Sequence, residues 1–179
     1  AFYPEGHPLH MKETIEIRYM TAKDEDILSS RTLLKKGIAI ERFMQNVIVD
    51  KNINVKDMLV GDRNAIIIAA RVSGYGSSYE TQIACPQCGA QAKQSFDLNK
   101  KTIIESVFDI EGLELINNED GTFTTTMPYS KFKICFKLLT GDDELYMTQS
   151  ATNKRKKKVS ETILTDQYSR MIHSIEGHT

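Results

Sequence analysis

Two cysteines separated by two residues, the spacing found in zinc knuckles, are the residues of this sequence best suited to chemistry. Cys85 and Cys88 stand in the phrase "CPQCG", and Gly89 permits the tight turn that would bring both sulfurs to one side. Thiolates placed in this way are typical ligands of a structural zinc ion, which takes four ligands in a tetrahedron. The phrase supplies two of the four, so the pair does not complete a site by itself.

The remaining ligands have few candidates. Cys135 is the only other cysteine, and the histidines lie toward the chain ends, at His7, His10, His173 and His178. Three interpretations stay open: a metal-free turn, a zinc ion completed by Cys135 or a histidine, and a four-cysteine site shared with a second copy of the chain. The cofactor prediction is accordingly either none or one structural zinc. A redox role fits poorly, because a β-hairpin lacks the helix N-terminus that stabilises a thiolate.

A basic run is the second motif of chemical interest. It consists of Lys154, Arg155, Lys156, Lys157 and Lys158. The simplest interpretation is a solvated connection between helices, and the alternative is a contact with an acidic protein surface or with nucleic acid. No nucleophile, base and orienting acid stand together in a recognisable motif, so the sequence predicts a protein that is not an enzyme.

Composition and charge are those of an ordinary globular protein. Of 179 residues, 40% are hydrophobic and 26% charged, and the formal net charge is −1. This balance argues against nucleic acid as the main partner, and no apolar run approaches the roughly 20 residues that cross a bilayer. Three cysteines without a disulfide framework, and opening residues unlike a secretory signal, lead us to expect a cytoplasmic location.

The part of the chain before Gly74 is predicted to be mainly helical. Alternating apolar residues at 14–19 indicate a strand. Thr21 and Asp24 then form a capping-box pattern that begins a helix predicted to run to Gly37. Further helices are expected at 38–49, at 55–60 with Asn54 as its cap, and at 63–74. The last is apolar almost all round and is expected in the core.

After Gly74 the pattern becomes that of β-structure. A hairpin is predicted at 79–84 and 91–98, flanking the cysteine pair, and a second hairpin at 113–127. The alternation in "KFKICFKLL" indicates a strand at 131–139. Thr140 and Asp143 then restart a helix, which the polar stretch after Met147 is expected to interrupt before a last amphipathic helix.

This order of elements predicts an α+β fold. A helical half packs with a small antiparallel β subdomain that carries a single zinc-knuckle-like hairpin, and a helical C-terminal segment follows. The predicted division is an extended N-terminal arm at 1–12, a strand plus helical part at 13–75, a β-rich subdomain with the knuckle at 76–139, and a C-terminal helical segment at 140–179 that packs back on the helical part.

Several phrases of the sequence resemble those of a known family. They are the arm "FYPEGHPLH", the following "IEIRYMTAKDEDIL", the stretch from there to "CPQCG", and the later "KLLTG" and "MIHSIEG". Together they resemble the T-even-type bacteriophage baseplate hub proteins, which are components of contractile-tail assembly. The resemblance covers nearly the whole chain and is most specific from Met20 to Gly89. The family carries no catalytic residues.

The resemblance implies a non-enzymatic structural or assembly component of the tail baseplate hub. It implies other baseplate and tail hub proteins as partners, no small-molecule substrate, and self-association through the cyclic symmetry usual in hub parts. The location would be the host cytoplasm during assembly, and the virion baseplate if the protein is retained. The residues predicted to bind partners are Phe2, Tyr3 and Pro4 in the arm and Lys154 to Lys158. The alternative is a zinc-ribbon-like adaptor that binds nucleic acid through the lysine-rich stretch.

Overall fold

The computed structural model describes residues 2–100, 113–160 and 162–178, and these residues form an α+β fold, as predicted. The helices are α1 (Ala22–Ser29), α2 (Arg31–Lys35), α3 (Ala39–Val47), α4 (Val60–Tyr75), α5 (Gly141–Lys156) and α6 (Ile163–Met171). The strands are β1 (Ser78–Ala84), β2 (Gln91–Asp97), β3 (Leu115–Asn117), β4 (Thr122–Thr126), β5 (Lys133–Lys137) and β6 (Ile172–Ile175). None of the described helices is long and apolar enough to cross a membrane.

The chain divides into two compact units, each assembled from separate segments. The first unit comprises the described residues within Ala1–Ile15, Asp50–Arg63 and Ser106–Thr179. The second comprises those within Glu16–Val49 and Asn64–Glu105. The linear division of the chain at residues 12, 75 and 139 stays a prediction.

The first unit is built on a four-stranded antiparallel sheet in the order β3-β4-β5-β6. Phe123 of β4 lies opposite Phe136 of β5, and their ring centroids are 5.8 Å apart. Phe123 is almost fully buried, as are Ile53, Val55 and Met58 from the central segment of the chain. The buried apolar side chains of this unit therefore come from stretches far apart in sequence, which the hydrophobic effect brings together.

The N-terminal residues fold back onto the first unit through a series of turns. Leu9 is 3% exposed, and the Nδ1 atom of His10 lies 2.8 Å from the carbonyl oxygen of Tyr3. The Tyr3 hydroxyl donates to the Asp62 carboxylate and accepts from the Leu59 N–H. These contacts give the segment local partners, although its composition of Pro, Gly and His predicted an extended arm.

The second unit holds α1, α2, α3 and a two-stranded antiparallel sheet of β1 and β2. The helix α3 buries Phe43, Met44 and Val47, which are spaced at three and four residues as expected for one face of a helix. A single bridge joins Ile17 to Ile48 at the end of that helix. The capping box of Thr21 and Asp24 that begins α1 is confirmed.

Several local predictions differ from the structure, and one of them is the helical end of the C-terminal segment, where Ile172–Ile175 forms the strand β6. The strand at 14–19 is wrong, because only Ile17 makes a β-bridge there. The helix at 55–60 is wrong as well: the Asn54 side chain bonds Asp57 and the Lys56 N–H, which holds a turn instead. The helix predicted from Thr21 to Gly37 is broken at Ser30, which caps α2. The basic run does not interrupt α5, which continues to Lys156.

Candidate protein-binding surfaces

The β1–β2 hairpin forms a ribbon that is exposed on both faces. Tyr79 pairs with Phe96 and Ile83 pairs with Ala92, so these four residues share one face. Tyr79, Ile83 and Phe96 are each more than 40% exposed. An isolated two-stranded hairpin is marginally stable in water, and exposed large apolar side chains along one face are typical of a contact surface. We call these four residues the apolar ribbon face.

The root of the ribbon is fixed by Arg71 of α4. Its guanidinium group donates to the carbonyl oxygens of Gly76 and Ser78, each at 3.3 Å. The same group lies over the rings of Tyr75 and Tyr79, 5.8 and 5.3 Å from their centroids. Cation–π contacts and hydrogen bonds from one side chain therefore orient the start of β1 relative to the end of α4.

The tip of the ribbon is a closed knuckle turn. The Cys85 N–H donates to the Ala90 carbonyl and the Gly89 N–H donates to the Cys85 carbonyl, both at 2.9 Å. Gly89 has a φ of 71°, which favours glycine over residues with a Cβ. The backbone N–H groups of Cys88 and Gln87 bond the Cys85 sulfur and lower the pKa of its thiol. Such donors stabilise a thiolate, which is the form that binds metal.

The third cysteine lies in the other unit. Cys135 of β5 accepts from the Asn118 side-chain amide at 3.8 Å, and Cys85 and Cys88 belong to the second unit. Within the described residues, no three His, Cys, Asp or Glu side chains converge as a metal site. Zinc at Cys85 and Cys88, with Cys135 as a third ligand, stays a prediction.

The basic run lies at the C-terminal end of α5, where cations interact favourably with the helix dipole. Lys154 is half-buried, and its ammonium group contacts both Asp166 carboxylate oxygens, at 2.6 and 2.7 Å. This ion pair ties α5 to α6 and lowers the pKa of Asp166. Lys156, Lys157 and Lys158 are exposed. Within the run, Lys154 therefore has a local structural role, whereas these three lysines face solvent.

Exposed apolar residues accompany these lysines. Val159, Ile163, Leu164 and Tyr168 are each at least 55% exposed. Leu164 and Tyr168 are one turn apart on α6, and Ile163 lines a cavity of about 300 Å³ between α5 and α6. We call these four residues, together with Lys156 to Lys158, the C-terminal patch. The sequence-based prediction included the lysines but not the apolar residues. The apolar pair at 163–164, at the start of an otherwise polar helix, could have indicated them.

The predicted N-terminal contact residues differ in exposure. Phe2 is 47% exposed and its ring centroid lies 6.0 Å from that of Phe123. Tyr3 is buried, and its ring stacks on that of His7 at 4.4 Å. Pro4 lies beside Gly121, in the turn between β3 and β4. Partner binding by these residues, and by the basic run, stays a prediction.

Two carboxylates with lowered pKa values are buried in the fold. Asp24 accepts two hydrogen bonds from the Arg18 guanidinium group, which lowers its pKa far below the usual range. Burial alone would raise the pKa of Asp143, but hydrogen bonds from Lys137 and Thr140 outweigh it, so its pKa is also lowered. Each carboxylate belongs to a helix capping box. Buried charged carboxylates are often catalytic. The hydrogen bonds of these two carboxylates indicate instead that each one stabilises the start of a helix.

Comparison with protein-family models matches most of the chain. A family model described as "T4 bacteriophage base plate protein" matches residues 7–176, which includes the knuckle turn and the C-terminal patch. Neither the curated proteins nor the solved structures show a significant match. Because the family model covers nearly the entire sequence, and thus both compact units, the chain belongs to the T4 bacteriophage base plate protein family.

Proposed function

We propose that this chain is a non-enzymatic structural or assembly component of the baseplate hub of a contractile phage tail. The family match over residues 7–176 is the observation that carries the proposal. The protein acts by contacts with other baseplate and tail hub proteins. It meets these partners in the host cytoplasm during assembly, and it lies in the virion tail baseplate if it is retained there.

The C-terminal patch is the surface we assign to such a partner. Leu164 is 65% exposed and Tyr168 55%, so both offer apolar area that a partner can bury. Lys156 to Lys158 lie nearby in the chain and supply a basic rim. Central apolar residues with a charged rim are the usual anatomy of a protein interface. The complementary surface is therefore apolar in its centre and acidic at its edge.

The arrangement of the buried charges supports a structural rather than an enzymatic role. Asp143 accepts from Lys137, Arg170 and Thr140, and it is fully buried. A carboxylate surrounded in this way is a stable anion that fixes α5 against its neighbours. It has neither the raised pKa nor the solvent access expected of a general base near neutral pH.

Co-expression of the chain with the other hub proteins of its phage tests the proposal. We expect the wild-type chain to co-purify in a defined complex, and Leu164→Asp to weaken the complex at least tenfold. Leu164 is the second residue of α6, where an aspartate interacts favourably with the helix dipole, so the variant should fold.

The matched control is Tyr129→Asp, which introduces the same charge at a 98% exposed turn outside the C-terminal patch. It should leave the complex intact. If the wild-type chain joins no complex with any baseplate protein, the proposal is wrong. If it instead binds DNA at low salt, and replacing Lys156 to Lys158 by alanine abolishes that binding, the nucleic-acid adaptor replaces it.

A further inference from the structure

We propose that two copies of the chain bind one zinc ion between them, with Cys85 and Cys88 of each copy forming a four-cysteine site at the tips of the two ribbons. This inference goes beyond the proposed function, which requires neither metal nor self-association. It concerns the second unit alone and does not involve the C-terminal patch.

The knuckle turn has the ligand types and the ligand spacing of one half of a zinc site. Cys85 and Cys88 are two ligands separated by two residues, and Gly89 turns the backbone behind them. The Cys85 N–H donates to the Ala90 carbonyl and the Gly89 N–H donates to the Cys85 carbonyl, both at 2.9 Å, so the backbone of the turn is already ordered. Backbone that is ordered before metal arrives reduces the conformational cost of binding. A plain hairpin turn does not need the second thiol.

A single described chain leaves this half-site incomplete. Zinc in a structural site takes four ligands in a tetrahedron, and each knuckle provides two. Within the part of the chain that the structure describes, no third His, Cys, Asp or Glu converges on the pair. A second identical knuckle supplies the missing two thiolates without any other protein. A tetrahedron also has two-fold axes that relate one pair of ligands to the other, which is the symmetry of an isologous dimer.

The apolar ribbon face gives the second copy a surface to bury. Ile83 is 49% exposed and lies two residues before Cys85, and Ala92 is its partner across the ribbon. By the two-residue period of a strand, Cys85 continues on the side of Ile83. Two ribbons that meet at their tips with these faces toward each other bring Ile83 and Ala92 of both copies together. This self-complementarity favours a second copy of the chain over a different protein as the source of the remaining ligands.

The test is to add zinc to the purified 179-residue chain under reducing conditions and to measure its metal content and its native mass together. We expect one zinc ion for two chains, with the dimer appearing as zinc is added and reverting to monomer when a chelator removes it. Cobalt substituted for zinc should show the absorption of a tetrahedral four-thiolate complex. One zinc per monomer, or no zinc bound by the wild-type chain, overturns the proposal.

Variants separate the candidate ligands. Cys88→Ser should abolish both zinc uptake and the zinc-dependent dimer, whereas Cys135→Ser should change neither. Circular dichroism of the metal-free proteins checks that both variants remain folded. Loss of zinc in Cys135→Ser would show that the ligand set is different and would overturn the proposal. Because these measurements use the isolated chain, their failure is distinguishable from failure of the chain to join a baseplate complex.

Discussion

Asp24 shows how a charge is accommodated inside the second unit. Its carboxylate accepts from the Arg18 guanidinium group at 2.7 and 2.9 Å and from the Asn46 amide at 2.6 Å. The backbone N–H and hydroxyl of Thr21 complete its set of donors, each at 2.8 Å. A buried anion with this many donors stays charged, and removing its charge leaves a partner cation without its counter-ion.

Asp24→Asn should therefore lower the free energy of unfolding by about 3 kcal/mol at neutral pH. The folded pKa of Asp24 is lowered, so its contribution is complete well above the unfolded value of about 4 and is lost as the pH falls below it. The stability difference between wild type and variant should shrink toward pH 3. Urea unfolding at several pH values measures this, with Asp26→Asn on the exposed side of α1 as the control.

Tyr3→Phe isolates a single hydroxyl at the N-terminal end of the first unit. This hydroxyl donates to Asp62 at 2.6 Å and accepts from the Leu59 N–H at 2.9 Å. Without it, a backbone N–H at the start of α4 loses its partner, so we expect a loss of about 1–3 kcal/mol in the free energy of unfolding. Tyr129→Phe removes a hydroxyl that is exposed to solvent and should change stability by less than about 0.5 kcal/mol. Equal effects of the two variants would contradict the assigned contacts.

At the scale of elements, the start of α5 depends on a close backbone approach. A Cβ at Gly141 would overlap the Arg63 guanidinium group and lie 2.9 Å from the Val55 carbonyl oxygen. Arg63 is buried, donates to that carbonyl and contacts Glu144 of α5 at 3.4 Å. The helix can therefore begin here only with glycine, although alanine is the better helix former.

Gly141→Ala should destabilise the first unit by about 1–3 kcal/mol, because the steric overlap outweighs the gain in helix propensity. Gly61→Ala in α4 is the matched control, since a Cβ there meets nothing within 4 Å. That control should be neutral or stabilising by up to about 1 kcal/mol. Thermal or urea unfolding distinguishes the two, and a stabilising effect of Gly141→Ala would show that the contact with Arg63 is wrong.

Local signals predicted some elements well and could not predict others. The capping boxes at Thr21 and Thr140 use side chains three residues apart, so the sequence contains all of their chemistry. The strand β6 was missed because Ile172–Ile175 continues the amphipathic pattern of α6. It becomes a strand only by pairing with β5, which is more than 30 residues earlier. The pattern of apolar residues within a short segment does not show which distant strand that segment will pair with.

Some features of the candidate surfaces could be predicted from local sequence, whereas others depend on residues far away in the chain. The hairpin could be predicted, because its strands and its turn are local in sequence, and the structure places Cys85 and Cys88 at its tip. The role of Lys154 could not be predicted, since its partner Asp166 lies on a different helix. Nor could the burial of Tyr3, because its hydroxyl partners are more than 50 residues away.

At the scale of the whole molecule, each compact unit carries a surface suited to binding another protein. The first unit exposes the C-terminal patch, and the second exposes the apolar ribbon face with the knuckle turn at its tip. The chain belongs to the base plate protein family, and we propose that these surfaces bind neighbouring baseplate proteins.

The most direct measurement of this account is the sedimentation of tail intermediates from infected cells with and without the chain. If the protein is a baseplate component, cells that lack it should accumulate unfinished baseplate parts, and supplying the wild-type chain should restore complete baseplates. Supplying Leu164→Asp should restore few, whereas Tyr129→Asp should restore them fully. Complete baseplates formed at normal yield in the absence of the chain would contradict the account.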